Sequence, residues 1–125
     1  MIKEVIRLKS EGDNTKIRLI YANRKEEDIL LRVLLDELSE ANENFSVEYM
    51  LSQPTDTWKG HQGRLNTSVL EKCLPGPSPD TLVYVCGPPG FMETVSGDKL
   101  PNKDQGPVGG ALRELGYTSN MVYKF

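Results

Sequence analysis

Apolar residues recur along this chain with two periods, about 3.6 and about 2 residues, and the two alternate from segment to segment. Residues 1–10 carry Ile2, Val5, Ile6 and Leu8, which predicts an amphipathic helix ending near Gly12. Asp13-Asn14-Thr15 predicts a turn, and residues 17–22 a strand. Asn23, with Glu26 three positions on, reads as a variant capping box for a helix running to about residue 40. Leu31, Leu34, Leu35 and Leu38 form its apolar stripe. Residues 45–51 alternate as a strand, and 52–63 form a polar loop holding the only tryptophan, Trp58. A short helix is predicted over 67–73, closed by Pro75-Gly76-Pro77-Ser78-Pro79. The apolar run over 81–85 reads as a buried strand, and a helix begins within 91–96. Residues 97–106 are a polar insertion. Pro107 suits the first position of a helix through Leu112 and Leu115, with Gly116 at its C′ position, and 121–125 form a last strand.

Helices and strands thus alternate throughout, which predicts an α/β fold, a doubly wound parallel sheet joined by crossover helices. No repeat or boundary interrupts the pattern, so residues 1–125 are expected to be one domain. Such a domain ordinarily opens with a strand and a glycine-rich turn before its first helix. This chain opens at the helix, so the first, central strand is expected to be lacking.

Composition narrows the chemistry. A length of 125 residues suffices for one core, and 38% hydrophobic and 26% charged residues suit a globular protein. The net charge is −3 with no basic cluster, which argues against a nucleic-acid partner. No apolar run approaches the length of a membrane span. Cys73 and Cys86 fit neither a disulfide framework nor a metal-ligand spacing, and His61 is the single histidine, so no metal site is expected.

The most informative stretch is Cys86-Gly87-Pro88-Pro89-Gly90-Phe91, directly after the 81–85 run. A thiol at a strand end is followed by a residue permitting close backbone approach and by two prolines that fix φ and remove donors. In open parallel sheets, ligands lie beyond the carboxyl ends of strands. The turn is therefore either one wall of a cofactor pocket or an ordinary strand-to-helix turn with a buried cysteine.

With Leu19-Ile20-Tyr21-Ala22-Asn23, Glu27-Asp28-Ile29-Leu30-Leu31, Trp58-Lys59-Gly60 and Val122-Tyr123-Lys124-Phe125, that turn resembles the nicotinamide-binding domain of the NADH-cytochrome b5 reductase family. The insertion Ser96-Gly97-Asp98-Lys99 with Lys103-Asp104-Gln105-Gly106-Pro107 resembles the fungal branch. The resemblance runs through essentially the whole chain. It implies a flavin-binding β-barrel and a glycine-rich loop before Met1, so a fragment or a truncated product is expected. It also implies hydride transfer from NADH to FAD, then single electrons to a cytochrome b5-like haem protein. The implied setting is cytosol-facing, with the parent protein anchored to the endoplasmic reticulum or mitochondrial outer membrane. A chain without its flavin domain is expected to show no reductase turnover. The alternative is a non-catalytic dinucleotide-binding or interaction module.

The resemblance also assigns residues. Cys86 matches the cysteine beside the nicotinamide ring, where a soft, uncharged side chain can pack on the ring. Gly87 and Pro88 keep that turn rigid and open to the cofactor. Tyr21, Ala22 and Asn23 lie toward the adenosine half, although Asn23 serves equally well as a helix cap and Tyr21 is favoured as partly core. Ser52 and Gln53 follow the second strand, and Ser52 stands where NADH-specific members carry an aspartate that repels a 2′-phosphate. The expected cofactor is NADH, with weakened discrimination against NADPH. Phe125 matches the terminal aromatic near the flavin–nicotinamide contact, or is simply the last residue of a core strand. For Trp58, loop packing is favoured over covering the cofactor, and for Phe91 and Met92 core packing is favoured.

Overall fold

The computed structural model describes residues 2–12 and 14–125, apart from the side chains of Ile2, Val5 and Ser10. The predicted turn residue Asp13 and the stripe positions Ile2 and Val5 thus lie outside the described residues or side chains. Helix α1 spans Ile2–Ser10, β1 Ile17–Asn23, α2 Arg32–Ala41, β2 Phe45–Leu51 and β3 His61–Gln62. Then come α3 Thr67–Cys73, β4 Val83–Val85, α4 Pro89–Val95, α5 Gly110–Glu114 and β5 Val122–Lys124. Every described strand pairing is parallel, as the alternation predicts for a doubly wound sheet. None of the described helices is long and apolar enough to cross a membrane.

The chain divides into two compact units, Met1–Arg64 and Leu65–Phe125. In the first, β1, β2 and β3 lie side by side in that order. The ladder between β1 and β2 runs from Ile17 opposite Phe45 to Asn23 opposite Leu51. Leu35 of α2 is fully buried against Leu19 and Phe45, and Leu38 packs on the same cluster. Leu31 and Leu34, the other half of the predicted stripe, are exposed. The helix also starts later than predicted. Asn23 is the last residue of β1 and caps no helix. Instead a 3-10 turn covers Glu26–Asp28, with the Lys25 N–H donating to Asp28 Oδ2 at 3.1 Å. Ile29 then drops into a cluster with Leu51 and Trp58, and Leu31 turns left-handed at φ 58° before α2 begins. Burying Ile29 breaks the helical path, so local capping chemistry loses to packing.

In the second unit β4 pairs with β5, Val83 opposite Val122 through Val85 opposite Lys124. β4 is shorter than predicted because Thr81 belongs to a turn, its N–H donating to Ser78 O at 3.1 Å. Nor is it buried on both faces: Leu82 and Tyr84 are exposed, while Val85 is buried. The core of this unit contains Leu65, Leu70, Met92, Val95, Leu112, Tyr117 and Val122. Asn66 caps α3 by accepting from the Val69 N–H at 3.0 Å. Helix α5 opens at Gly110 rather than at Pro107. The preceding residues are committed elsewhere: Pro107 O accepts from Lys124 Nζ at 2.8 Å and the Gly109 N–H donates to Ser96 O at 2.8 Å. Gly110 has φ +57°, and a Cβ there would lie 2.3 Å from Thr94 O, so only glycine fits. The expected C′ glycine is Gly116, at φ +90°.

Candidate functional site

The first group of site residues sits at the carboxyl tip of β1 and β2. The ladder continues one step beyond the strands: the Ser52 N–H donates to Asn23 O at 3.1 Å and the Gln53 N–H to Arg24 O at 2.8 Å. Asn23, Ser52 and Gln53 are thereby brought together, with Ser52 and Gln53 exposed. Asn23 is half-buried, and its amide Nδ2 is a buried donor with no hydrogen-bond partner among the described residues. A buried donor left unpaired costs about 1–3 kcal/mol, so this atom is suited to an acceptor supplied by a ligand. Ala22 lies within the ladder opposite Met50. Tyr21 packs against two apolar clusters of this unit, so its ring is partly core, as expected.

Trp58 packs the loop that follows. It is buried, and its Nε1–H donates to His61 O at 2.9 Å. Gly60 makes room for the ring, since a Cβ there would lie 2.6 Å from Trp58 Cζ2. The loop also contains the two-residue strand β3, absent from the sequence reading, whose His61 Nε2 lies 3.1 Å from Glu48 Oε2.

Arg32 is a residue that sequence reasoning missed. Its guanidinium carbon lies 5.4 Å from the ring centroids of both Tyr49 and Trp58, within cation–π reach. The same group donates to Glu26 Oε1 at 2.6 Å and lies 3.8 Å from Asp36 Oδ2. The Glu26 hydrogen bond holds its pKa above the ordinary arginine value. Tyr49 O–H donates to Asp36 Oδ1 at 2.7 Å, and burial followed by this bond pushes its pKa up. A cleft of about 370 Å³ opens here, lined by Glu26, Arg32, Glu48, Tyr49, Trp58 and Lys59 among others. No periodicity could have signalled this arrangement, because the rings Arg32 meets belong to distant segments.

The second group sits at the carboxyl tip of β4 and β5. Cys86 is exposed, which removes the alternative of a buried strand-end cysteine. Gly87 and Pro88 are exposed too, and Pro88 leads into α4 at the N-cap position. A Cβ on Gly87 would lie 2.3 Å from Phe91 Cδ1, so within this chain the glycine accommodates the Phe91 ring. Met92 is buried, in keeping with core packing. The Phe125 N–H donates to Val85 O at 2.9 Å, and the next step of the register sets Phe125 opposite Cys86. Phe125 is 52% exposed, so it is not a core strand residue. Its ring lies 5.1 Å from that of Tyr123 and 5.9 Å from that of Tyr84, centroid to centroid. Cys86, Gly87, Pro88 and Phe125 therefore share one rim.

Comparison with known proteins gives the family. A sequence profile described as the oxidoreductase NAD-binding domain matches residues 1–97. An NADH-cytochrome b5 reductase-like protein of Arabidopsis thaliana is 48% identical over 118 residues, covering 94% of this chain and 36% of that protein. NADH-cytochrome b5 reductase 2 of Meyerozyma guilliermondii is 45% identical over 118 residues, covering 94% of this chain and 40% of that protein. Among solved structures, the cytochrome b5 reductase domain of Ulva prolifera nitrate reductase superposes with a TM-score of 0.76 at 28% identity, covering 94% of this chain and 40% of that one. That profile matches well over half of this chain, whose described strand pairings are all parallel, and the chain belongs to the oxidoreductase NAD-binding domain family.

Proposed function

We propose that this chain is the dinucleotide-binding portion of a flavin-dependent NADH-cytochrome b5 reductase. A nicotinamide dinucleotide held by these residues would supply hydride chemistry to a flavin of the whole enzyme, and through it single electrons to a haem protein. The chain's own residues bind and orient. Asn23 offers its unpaired amide donor, with the Ser52 hydroxyl and the Gln53 amide beside it, to the adenosine half of the cofactor. Cys86 offers an exposed, polarizable wall to the nicotinamide, on a turn stiffened by Pro88 and seated by Gly87, with Phe125 on the neighbouring strand. FAD, a cytochrome b5-like acceptor and a cytosol-facing site on the endoplasmic reticulum or mitochondrial outer membrane complete the proposal for the whole enzyme. Its support is the names of the relatives, of which this chain spans 36% and 40%.

The observation that carries the reading is the orphaned Asn23 donor at a parallel strand tip. Calorimetric titration with NADH tests it. Saturable binding is expected, weakened about tenfold by Asn23→Ala through loss of one hydrogen bond to the cofactor. A flat titration ends the reading. Ser52 carries no charge, so NADPH is expected to compete, and Ser52→Asp to raise the preference for NADH by about tenfold through repulsion of the 2′-phosphate. The exposed aromatic face of Tyr84, Tyr123 and Phe125 favours a second reading, a non-catalytic interaction module. Failure to bind either dinucleotide, with that face retained, would select it.

A further inference from the structure

Lys124 is an ammonium in a core position. Alternation along β5 buries Val122 and Lys124 and exposes Tyr123, and Lys124 is only 1% exposed. A buried cation requires partners. Among the described residues Lys124 Nζ has three hydrogen-bond partners, all backbone carbonyls: it donates to Pro107 O at 2.8 Å, Gln105 O at 2.9 Å and Asp98 O at 3.3 Å. One side chain thus gathers both ends of the polar insertion onto the last strand. The main chain of the same residue is held as well. Its N–H donates to Gln105 Oε1 at 2.7 Å, and its carbonyl accepts from Gln105 Nε2 at 2.8 Å. The Gln105 amide thereby supplies β5 with the two bonds that a neighbouring strand would supply, in a sheet where, among the described residues, β4 is its one strand partner. The residue fixed in this way directly precedes Phe125, whose N–H bonds Val85 and whose register position faces Cys86.

We propose that Lys124 and Gln105 are positioning residues that latch the last strand to the 98–107 loop and so hold Phe125 beside Cys86 for dinucleotide binding. The proposal rests on the dinucleotide reading above. A long apolar side chain at position 124 would fill the same volume and leave three carbonyls without their donor. A shortened side chain at 105 would leave the outer edge of β5 unpaired.

The test uses the 125-residue chain with NADH as probe. Lys124→Met removes the three donors. Gln105→Ala removes the edge pairing from a half-exposed side chain, and it serves as the measurement if Lys124→Met fails to fold. In each variant amide exchange at Phe125 is expected to accelerate, while Met50 in the first sheet keeps its protection. The NADH dissociation constant is expected to rise about tenfold, the order set by losing one well-made contact. Lys124→Arg, which retains donors, recovers part of both effects. Unchanged exchange at Phe125 overturns the latch. Faster exchange with unaltered NADH affinity overturns the positioning role. Absence of NADH saturation in the unsubstituted chain overturns the dinucleotide reading and this proposal with it, and it is seen before any substitution is made.

Discussion

The two units present their strand tips by different means. In the first, seven-residue strands β1 and β2 pair along their whole length, and their backbone bonds continue past the last ladder residues into Ser52 and Gln53. The tip is an extension of the sheet, and the side-chain donor Asn23 Nδ2 is left without a partner among the described residues. In the second, β4 and β5 have three residues each, too few for the ladder alone to hold a tip. Side chains supply the difference: Lys124 and Gln105 tie β5 to a loop, and Tyr84, Tyr123 and Phe125 pack on one another. Long pairing leaves side chains free for ligands, whereas short pairing commits them to structure.

Core truncations should give the largest effect and show whether the two units depend equally on apolar packing. Leu35 and Leu112 are both fully buried, one in each unit. Leu35→Ala and Leu112→Ala are each expected to cost about 2–5 kcal/mol in urea unfolding. A cost below about 1 kcal/mol at Leu35 would show that backbone pairing rather than core packing stabilises the long sheet.

The next contrast is smaller and lies in the glycine-seated rings. Gly60 faces Trp58 and Gly87 faces Phe91, each too close for a Cβ. Trp58 is pinned by its bond to His61 O and by Arg32, whereas Phe91 is partly exposed and can turn aside. Gly60→Ala is therefore expected to destabilise by about 1–3 kcal/mol and to shift Trp58 fluorescence. Gly87→Ala is expected to cost less, and equal costs would remove the distinction.

The smallest effect is a change of slope. Tyr49 has its pKa raised by burial and by its bond to Asp36. The folded state keeps the phenol proton when the unfolded state releases it. The stabilisation is thus complete below about pH 10, the ordinary tyrosine value, and is lost as pH rises toward the folded value. Stability measured above about pH 10 should fall more gently for Tyr49→Phe than for the unsubstituted chain. Identical slopes would show that neither burial nor the bond to Asp36 raises the Tyr49 pKa in solution.

Much of this architecture was legible in the sequence. The alternation over 45–51 and the short segment over 67–73, closed by its proline run, match β2 and α3 residue for residue. The expectations that failed are those where local chemistry met a competing contact. Asn23 and Glu26 form a good capping pair, yet Ile29 is drawn into the core and the helix waits until Arg32. Pro107 is a good first helical residue, yet its carbonyl is engaged by Lys124. The position of Lys124 was itself readable in part, since alternation sets it in phase with Val122. The burial of an ammonium there was not, because the carbonyls that receive it come from Asp98, Gln105 and Pro107.

The amino-acid sequence by itself determined the succession of elements apart from β3 and the 3-10 turn, the parallel α/β class and the residues at the strand tips, because periodicity and turn chemistry act over a few neighbouring residues. Only the tertiary structure decided that Asn23 Nδ2 goes unpaired, that Arg32 meets Tyr49 and Trp58, and that Lys124 is enclosed by carbonyls. A repeating pattern specifies which way a side chain faces. What stands opposite it is set by segments far along the chain, brought into contact when the core closes.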